Sequence, residues 1–320
     1  LVRKYRGSIS GEHGDGRARS EFIPLVIGEH NYSLLKSIKS AWDPEGIFNP
    51  GKIVDPVAMD ASLRYKTGTV TRAFQPIFSF DESGGLLRMA EKCNGSGDCR
   101  KSALMGGTMC PSFMASKDEK TTTRARANML RELLSNPGKK NPFNQKELYD
   151  VLDLCLSCKG CKSECPSNVD MAKMKSEFLQ HYYDSNGIPL RTRAIAYISS
   201  IQKLGSVIPS IYNFIITNKF FSNKLKKILG FAKQRSIPRL FPVTLKKWCR
   251  KNLEGLNNSL AKPVGSAYFF IDEFTDYNDT ETGITAIRLV NHLGYKVHTT
   301  KHQISGRTFF SKGLLRTARK

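Results

Sequence analysis

The spacing of hydrophobic positions changes several times along the chain. From Asn31 the apolar residues Leu34, Leu35, Ile38 and Trp42 recur at helical spacing, and Asp43-Pro44-Glu45-Gly46 ends the run. Upstream, Ser10-Gly-Glu-His-Gly-Asp-Gly16 is expected to be a loop, because four glycines between Gly7 and Gly16 make regular structure costly. Asn49-Pro-Gly-Lys52 makes a turn. Between Asp118 and Leu134, Ala125, Met129, Leu130, Leu133 and Leu134 share one helical face, with Arg124, Arg126 and Arg131 interleaved. A second helix is expected from Gln145 to Leu154, with Asn136 to Pro142 separating the two. Residues 188–262 mix lysines with apolar groups such as Ile211, Tyr212, Phe214, Ile215 and Ile216, as in a helical linker or subdomain. Ala267 to Ile271 has the length of a strand. An acidic turn from Asp272 to Asp279, a helix from Glu281 to Leu293 and a strand at Tyr295-Lys-Val-His298 follow, so parallel pairing is expected.

Composition narrows the partners. A chain of 320 residues has room for two or three domains, and nowhere do 18 or more apolar residues run together, which argues against a membrane-spanning helix. The sequence opens on Leu-Val-Arg-Lys-Tyr-Arg, without an initiator Met or a signal peptide, and reads as a piece of a longer protein. Fifty Lys and Arg against 28 Asp and Glu give +22; between Asn186 and Lys262, 15 basic residues and the single acid Glu254 supply +14 of it. Such a stretch suits an anionic lipid surface or an acidic partner. A nucleic-acid reader would interleave its basic residues with stacking aromatics on a recognisable binding fold, which is not seen, so no nucleic acid is expected. The expected location is cytoplasmic, or peripheral at the inner face of the membrane.

Seven of the eight cysteines fall in two clusters, Cys93 to Cys110 and Cys155 to Cys165, and Cys249 stands alone. Crowding of this kind, without a secretory signal, suits thiolates that hold metal in a reduced compartment. Cys155-x2-Cys158-x2-Cys161-x3-Cys165-Pro166 is the bacterial ferredoxin run, in which three thiolates hold one cluster and the fourth reaches a second. A zinc ion usually takes its four sulfurs from two separate Cys-x2-Cys knuckles, which this run suits poorly. On the same template Cys93 and Cys99 take the first and third positions, Cys110 the fourth, and Ser96 stands where the second cysteine is expected. By the crossed-ligand rule Cys110 completes a 4Fe-4S cluster with Cys155, Cys158 and Cys161, and Cys165 joins Cys93 and Cys99. This second site, with three thiolates, is either a 3Fe-4S cluster or a 4Fe-4S cluster whose odd iron takes Ser96 oxygen, water or another ligand. Ser96 as a loop residue without iron contact stays open. Helices rather than short strands connect the two groups, so the scaffold resembles the α-helical ferredoxin.

Ser10-Gly-Glu-His-Gly-Asp-Gly-Arg-Ala-Arg-Ser-Glu-Phe22, followed by Trp42-Asp-Pro-Glu-Gly-Ile-Phe-Asn-Pro-Gly-Lys-Ile-Val54, resembles the C-terminal end of the FAD-linked oxidase family. That family includes D-lactate, glycolate and D-2-hydroxyglutarate dehydrogenases. Fused to a dicluster ferredoxin, the ending is similar to the flavin and iron-sulfur D-2-hydroxyacid dehydrogenases, in which electrons pass from substrate to flavin and then to clusters. The resemblance implies that Glu12 helps bind a divalent metal, usually zinc, that orients the hydroxyacid, and that His13 is the base for the hydroxyl proton. An imidazole suits that task because its pKa is near neutral, and the flanking glycines allow close approach of flavin and substrate to the backbone. Asn49 and Lys52 occupy the family's turn close to the flavin, although an Asn-Pro-Gly turn is also explained by backbone geometry alone. The family's remaining metal ligands and its FAD-binding domain are not found in this chain.

Residues 267–320 are similar to the first half of the cysteine-rich domain of glycolate oxidase iron-sulfur subunits and heterodisulfide reductases. Its paired cysteines are replaced by Ile304 and Ser305 in Gln303-Ile-Ser-Gly-Arg307, so this half is expected to be structural or partner-facing. The expected organisation is multidomain: an α+β tail of an FAD-linked oxidase at 1–57, a linker at 58–80, an α-helical dicluster ferredoxin at 81–187, a basic helical linker at 188–262, and a partial α/β domain with parallel strands at 263–320. The implied activity is oxidation of a D-2-hydroxyacid through FAD, with electrons leaving through two iron-sulfur clusters to an acceptor protein or a quinone. The alternative is a non-catalytic electron-transfer subunit, which would have no reason to carry the oxidase ending.

Overall fold

The computed structural model describes residues 1–65, 68, 74–135 and 141–320, which form two compact units divided between residues 70 and 71. Most of the segment expected to separate the two central helices, residues 136–140, lies outside the described residues.

In the first unit the helix α1 runs from Glu29 to Trp42. Its chain continues as loop because Asp43, buried and beyond the last turn, accepts from the backbone N–H of Ile47 at 2.8 Å and of Phe48 at 3.0 Å. Only Tyr32 of α1 is buried; Leu34, Ile38 and Trp42, the residues that announced the helix, are exposed in this unit. The following segment is tied back by side chains. Ile53 N–H donates to Ser20 Oγ at 3.2 Å, Asp55 N–H to Tyr32 OH at 2.9 Å and Met59 N–H to Glu21 Oε2 at 2.8 Å. No strand occurs among the described residues of this unit, so the β part of the expected α+β tail is not seen there. Asn49, Ile53 and Asp55 all have left-handed backbone, which interrupts the extended conformation a strand requires.

The second unit is built around one helix, α6 (Met171–Asn186), preceded by α2 (Leu86–Glu91), α3 (Thr123–Ser135), α4 (Lys146–Asp153) and α5 (Gly160–Glu164). Ten of the sixteen residues of α6 are buried, from every side of the helix, as expected of a helix enclosed by its neighbours. Leu130 and Ala127 of α3, Leu148 and Leu152 of α4, and Phe178 and Met174 of α6 form its core. The helix expected from Asp118 begins instead at Thr123, because Thr122 caps it by accepting from Ala125 N–H at 3.0 Å, and Asp118 caps a separate turn through Lys120 N–H. Glu177, fully buried, accepts from the backbone of Ile77 at 2.7 Å and Phe78 at 3.0 Å and from His181 at 2.8 Å, which fixes the incoming segment on α6.

The basic stretch is helical and includes α7 (Pro209–Thr217), α8 (Lys219–Leu229) and α9 (Leu245–Asn258). Beyond it, β1 (Gly265–Phe269) pairs in parallel with β2 (Tyr295–Thr299), with Ala267 opposite Val297, and α10 (Thr280–His292) connects them. The acidic turn holds a short helix at Glu273–Tyr277, started by Asp272, whose carboxylate accepts from Phe274 and Thr275 N–H. Leu245 and Cys249 of α9 pack with Ile271, Ile287 and Val297 in a second core. Where the paired cysteines would stand, Ile304 is exposed and Ser305 Oγ donates to the buried Glu273 at 2.7 Å.

Residues after β2 return to the first core. Phe309 and Leu314 belong to it, and Ser176 Oγ of α6 donates to Phe310 O at 2.7 Å. Gly313 makes this approach possible: its φ is +69°, and a Cβ there would lie 2.3 Å from Leu179 Cβ. Gly313→Ala is expected to destabilise the second unit by about 1–3 kcal/mol, the usual cost of forced overpacking. Chemical denaturation of the variant against the parent protein checks it; an unchanged midpoint would show that the return is loosely packed.

Candidate functional site

Cys110, Cys155, Cys158 and Cys161, from stretches 45 residues apart at their nearest (155 less 110), line one pocket with Arg126 and Ser157. Cys110 immediately precedes the helix Pro111–Ser116, Cys155 and Cys158 occupy the bend from α4 into α5, and Cys161 lies in the first turn of α5. Ser157 and Lys159, on either side of Cys158, both take left-handed backbone, φ 55° and 62°, so the bend coils tightly around the pocket.

A carboxylate and two glycines bring the stretches together. Glu164, the last residue of α5, accepts from Thr108 N–H at 2.7 Å, Thr108 Oγ1 at 2.5 Å and Met109 N–H at 3.0 Å. These contacts, the Thr108 hydroxyl first, hold its carboxyl below the ordinary glutamate range. A Cβ on Gly160 would meet Thr108 Oγ1 at 2.9 Å, and one on Gly107, φ +80°, would meet Glu164 Oε2 at 2.6 Å. Cys110 therefore reaches the pocket because side chains are missing where its loop crosses α5.

The pocket's electrostatics suit an anion. Arg126 is fully buried on α3 and places Nη1 3.6 Å from Cys110 Sγ. Its Nη2 and the hydroxyl of Ser157 are buried without hydrogen-bond partners, two donors left free on the pocket wall. Burial pushes the Cys161 thiol up to about 11, opposed by the N–H of Met171 at the start of α6, whose helix dipole favours thiolate. Among the described residues no three His, Cys, Asp or Glu groups converge closely enough for a single metal ion. Four thiols that surround a pocket without meeting at a point fit a cubane, which takes one thiolate at each iron, better than one tetrahedral ion.

Two further thiols, Cys93 and Cys99, lie near Arg124 at the start of α3. Cys99 is buried, its thiol raised by desolvation and opposed by the N–H of Arg124, and it lies within electrostatic reach of Cys110 and Cys93. Cys165 follows α5, and both Cys93 and Cys165 pack against the same core. Ser96 is exposed, and its hydroxyl, together with Lys101, holds the Asp98 carboxyl down. Cys249 lies apart in the second core, its thiol pushed up to about 11 by burial.

In the first unit Glu12 Oε1 lies 3.1 Å from His13 Nε2, with both side chains exposed. Among the described residues nothing beyond the immediate chain neighbours stands within 4 Å of a Cβ built on Gly11 or Gly14, and neither has positive φ, so packing among them does not require glycine there. Ser10 Oγ and Asp15 Oδ1 are buried without partners beside the loop. Asn49 is exposed with φ 50°, and Lys52 is half-buried on the turn that Asp43 holds through Ile47 and Phe48.

Residues 1–53 match the family FAD linked oxidases, C-terminal domain, and residues 92–170 match the 4Fe-4S dicluster domain. The chain is thus similar to an oxidase ending in its first segment and to a dicluster ferredoxin in its middle. It is 28% identical over 98% of its length to the D-2-hydroxyglutarate dehydrogenase of Escherichia coli, covering 34% of that protein. Against the D-2-hydroxyglutarate dehydrogenase of Pseudomonas putida the identity is 28%, again over 98% of this chain and 34% of that protein. The Glycolate oxidase subunit GlcD of Bacillus subtilis is 36% identical over 18% of this chain and 12% of its own. The chain thus spans about a third of the length of the dehydrogenases it matches. No solved structure matches.

The cysteine spacing of the dicluster segment named its thiols but not Glu164, Gly160 or Gly107, because a contact between two loops leaves no period in the sequence. Gly160→Ala is expected to push the Thr108–Cys110 loop from α5, costing about 1–3 kcal/mol. Loss of iron to a chelator, followed by absorbance, should then be faster than in the parent protein; equal rates would mean that the loop yields freely.

Proposed function

We propose that this protein oxidises a D-2-hydroxyacid, of the D-lactate or D-2-hydroxyglutarate type, through FAD and releases the electrons singly through two iron-sulfur clusters. The observation that carries the reading is the four-thiol pocket on the same chain as an oxidase ending, in a sequence that aligns with D-2-hydroxyglutarate dehydrogenases over 98% of its length. Cys110, Cys155, Cys158 and Cys161 hold a 4Fe-4S cluster in this reading; Cys93, Cys99 and Cys165 hold a second, 3Fe-4S or 4Fe-4S. The pairing of Ser96 with Asp98 favours a loop role for that serine. FAD, when bound, takes two electrons from the substrate, and the clusters pass them on one at a time.

The oxidase ending contributes the proton chemistry. Glu12 Oε1 lies 3.1 Å from His13 Nε2, and in this reading the His13 imidazole accepts the substrate's hydroxyl proton at Nδ1, on the side of the ring away from Glu12. Glu12 offers one carboxylate to a zinc ion, but the described residues do not complete a metal site, and no step depends on one. Gly11 and Gly14 leave the loop open to flavin and substrate, and the Asn49–Lys52 turn lies near the flavin. The basic helices face an anionic membrane surface or the acidic side of the electron acceptor, a protein or a quinone-bearing partner. No helix among the described residues is long and apolar enough to cross a membrane.

In the full-length enzyme, His13→Ala is expected to lower hydroxyacid oxidation by about 10²- to 10⁴-fold, the range of general base catalysis, and Glu12→Ala to lower it as well. Cluster absorbance, iron and sulfide should stay at parental levels. A His13→Ala loss below about tenfold would make the histidine structural.

A further inference from the structure

Arg126 is a cation that the protein itself leaves unbalanced. It is fully buried, stays protonated in any protein environment, and has no carboxylate in ion-pair range among the described residues. Nε donates to Val151 O and Nη1 to Ser112 Oγ, each at 3.0 Å; Nη1 also faces Cys110 Sγ, and Nη2 has no partner. Those contacts orient the guanidinium but supply no negative charge, and an uncompensated buried charge is strongly destabilising. The groups around it that become anionic are the thiolates of its own pocket.

Resting on the cluster assignment above, we infer that Arg126 is the counter-charge of the cluster held by Cys110, Cys155, Cys158 and Cys161, and that it raises that cluster's reduction potential. One-electron reduction adds a negative charge without breaking a bond, and a fixed cation beside Cys110 stabilises the reduced form more than the oxidised one. Arg126 is a positioning residue in this account, acting through the field at the pocket.

Redox titration of the full-length protein under anaerobic conditions, followed by electron paramagnetic resonance, tests it. Arg126→Met should keep iron and sulfide at parental levels and lower the potential of one cluster by at least tenfold in its one-electron equilibrium, about 59 mV. Arg126→Lys should restore most of the shift. Arg126→Gln serves if the Met protein does not accumulate. An unmoved potential in a loaded neutral variant overturns the inference, as does an Arg126→Lys protein as perturbed as Arg126→Met. A parent protein without iron and sulfide would instead overturn the cluster assignment.

A second site rests on different observations. A cleft of about 740 Å³ between α8 and the loop after it is lined by Lys219, Lys226, Lys233, Arg239 and Ser222, with no carboxylate on its wall. Lys226 and Ser222 are more than nine-tenths buried; Lys226 Nζ donates to Lys233 O at 3.2 Å, and Ser222 Oγ has no partner. Positions 219, 222, 223 and 226 share one face of α8, on which Lys226 is turned inward beside Ser222 while Lys219, Lys233 and Arg239 stand exposed around the cleft. We propose that the cleft binds a phosphate-bearing anion, through ion pairs to the lysines and a hydrogen bond from Ser222.

The full-length protein would be titrated calorimetrically with glycerol phosphate, and sedimented with phosphatidylcholine vesicles with and without phosphatidylglycerol. Saturable binding of either phosphate that is lost in Lys226→Met and in Arg239→Gln, but kept in Lys224→Glu outside the cleft, supports the site. Which arm binds tells a free ligand from a lipid headgroup. Binding to neither, or binding that falls with Lys224→Glu and not with the cleft variants, overturns it.

Discussion

Two loops must cross closely enough to put Cys110 opposite Cys155, Cys158 and Cys161, and the proposed electron chemistry depends on that crossing. Backbone N–H groups of Thr108 and Met109 need an acceptor, and Glu164 supplies both of its oxygens from the last turn of α5. Glycines at 107 and 160 remove the atoms that would hold the loops apart. A carboxylate accepting several hydrogen bonds is a strong, charge-assisted clamp even near solvent, because each bond fixes a direction as well as a distance. The sulfurs follow from the clamp rather than causing it.

The long helices serve the thiols in a second way. The first turn of α3 points an N–H at Cys99 and the first turn of α6 points one at Cys161, so each thiol group faces the positive end of a helix. Desolvation works in the opposite direction by favouring the neutral thiols. The protein thus combines low polarity, which isolates a redox centre from water, with aimed dipoles and one buried guanidinium, which make negative charge tolerable there.

The helices and the parallel pair were legible because period and caps are local. The helix expected from Asn31 spans Glu29–Trp42, that expected from Gln145 spans Lys146–Asp153, and the β1–α10–β2 order follows the apolar runs. Misplaced boundaries came from capping by a second candidate residue, as where Thr122 rather than Asp118 starts α3. Burial was less legible. Leu34, Ile38 and Trp42 have the spacing of a buried face yet are exposed in their unit, whereas Arg126, spaced like a surface residue among Arg124 and Arg131, has no exposure at all. A side chain's period records which face it occupies. It does not record what lies opposite, and for Arg126 that depends on a cysteine 16 residues away in a separate loop.

The return of residues 307–315 to α6 also has a bearing on biosynthesis. Ser176 bonds to a carbonyl 134 residues further on, and Phe309 and Leu314 complete the core beneath the cysteine loops. During translation every cysteine of the two thiol groups emerges long before that covering segment does. The core beneath the cysteine loops lacks its covering segment over this interval. The closing step is therefore a docking event between parts of the chain made far apart in time.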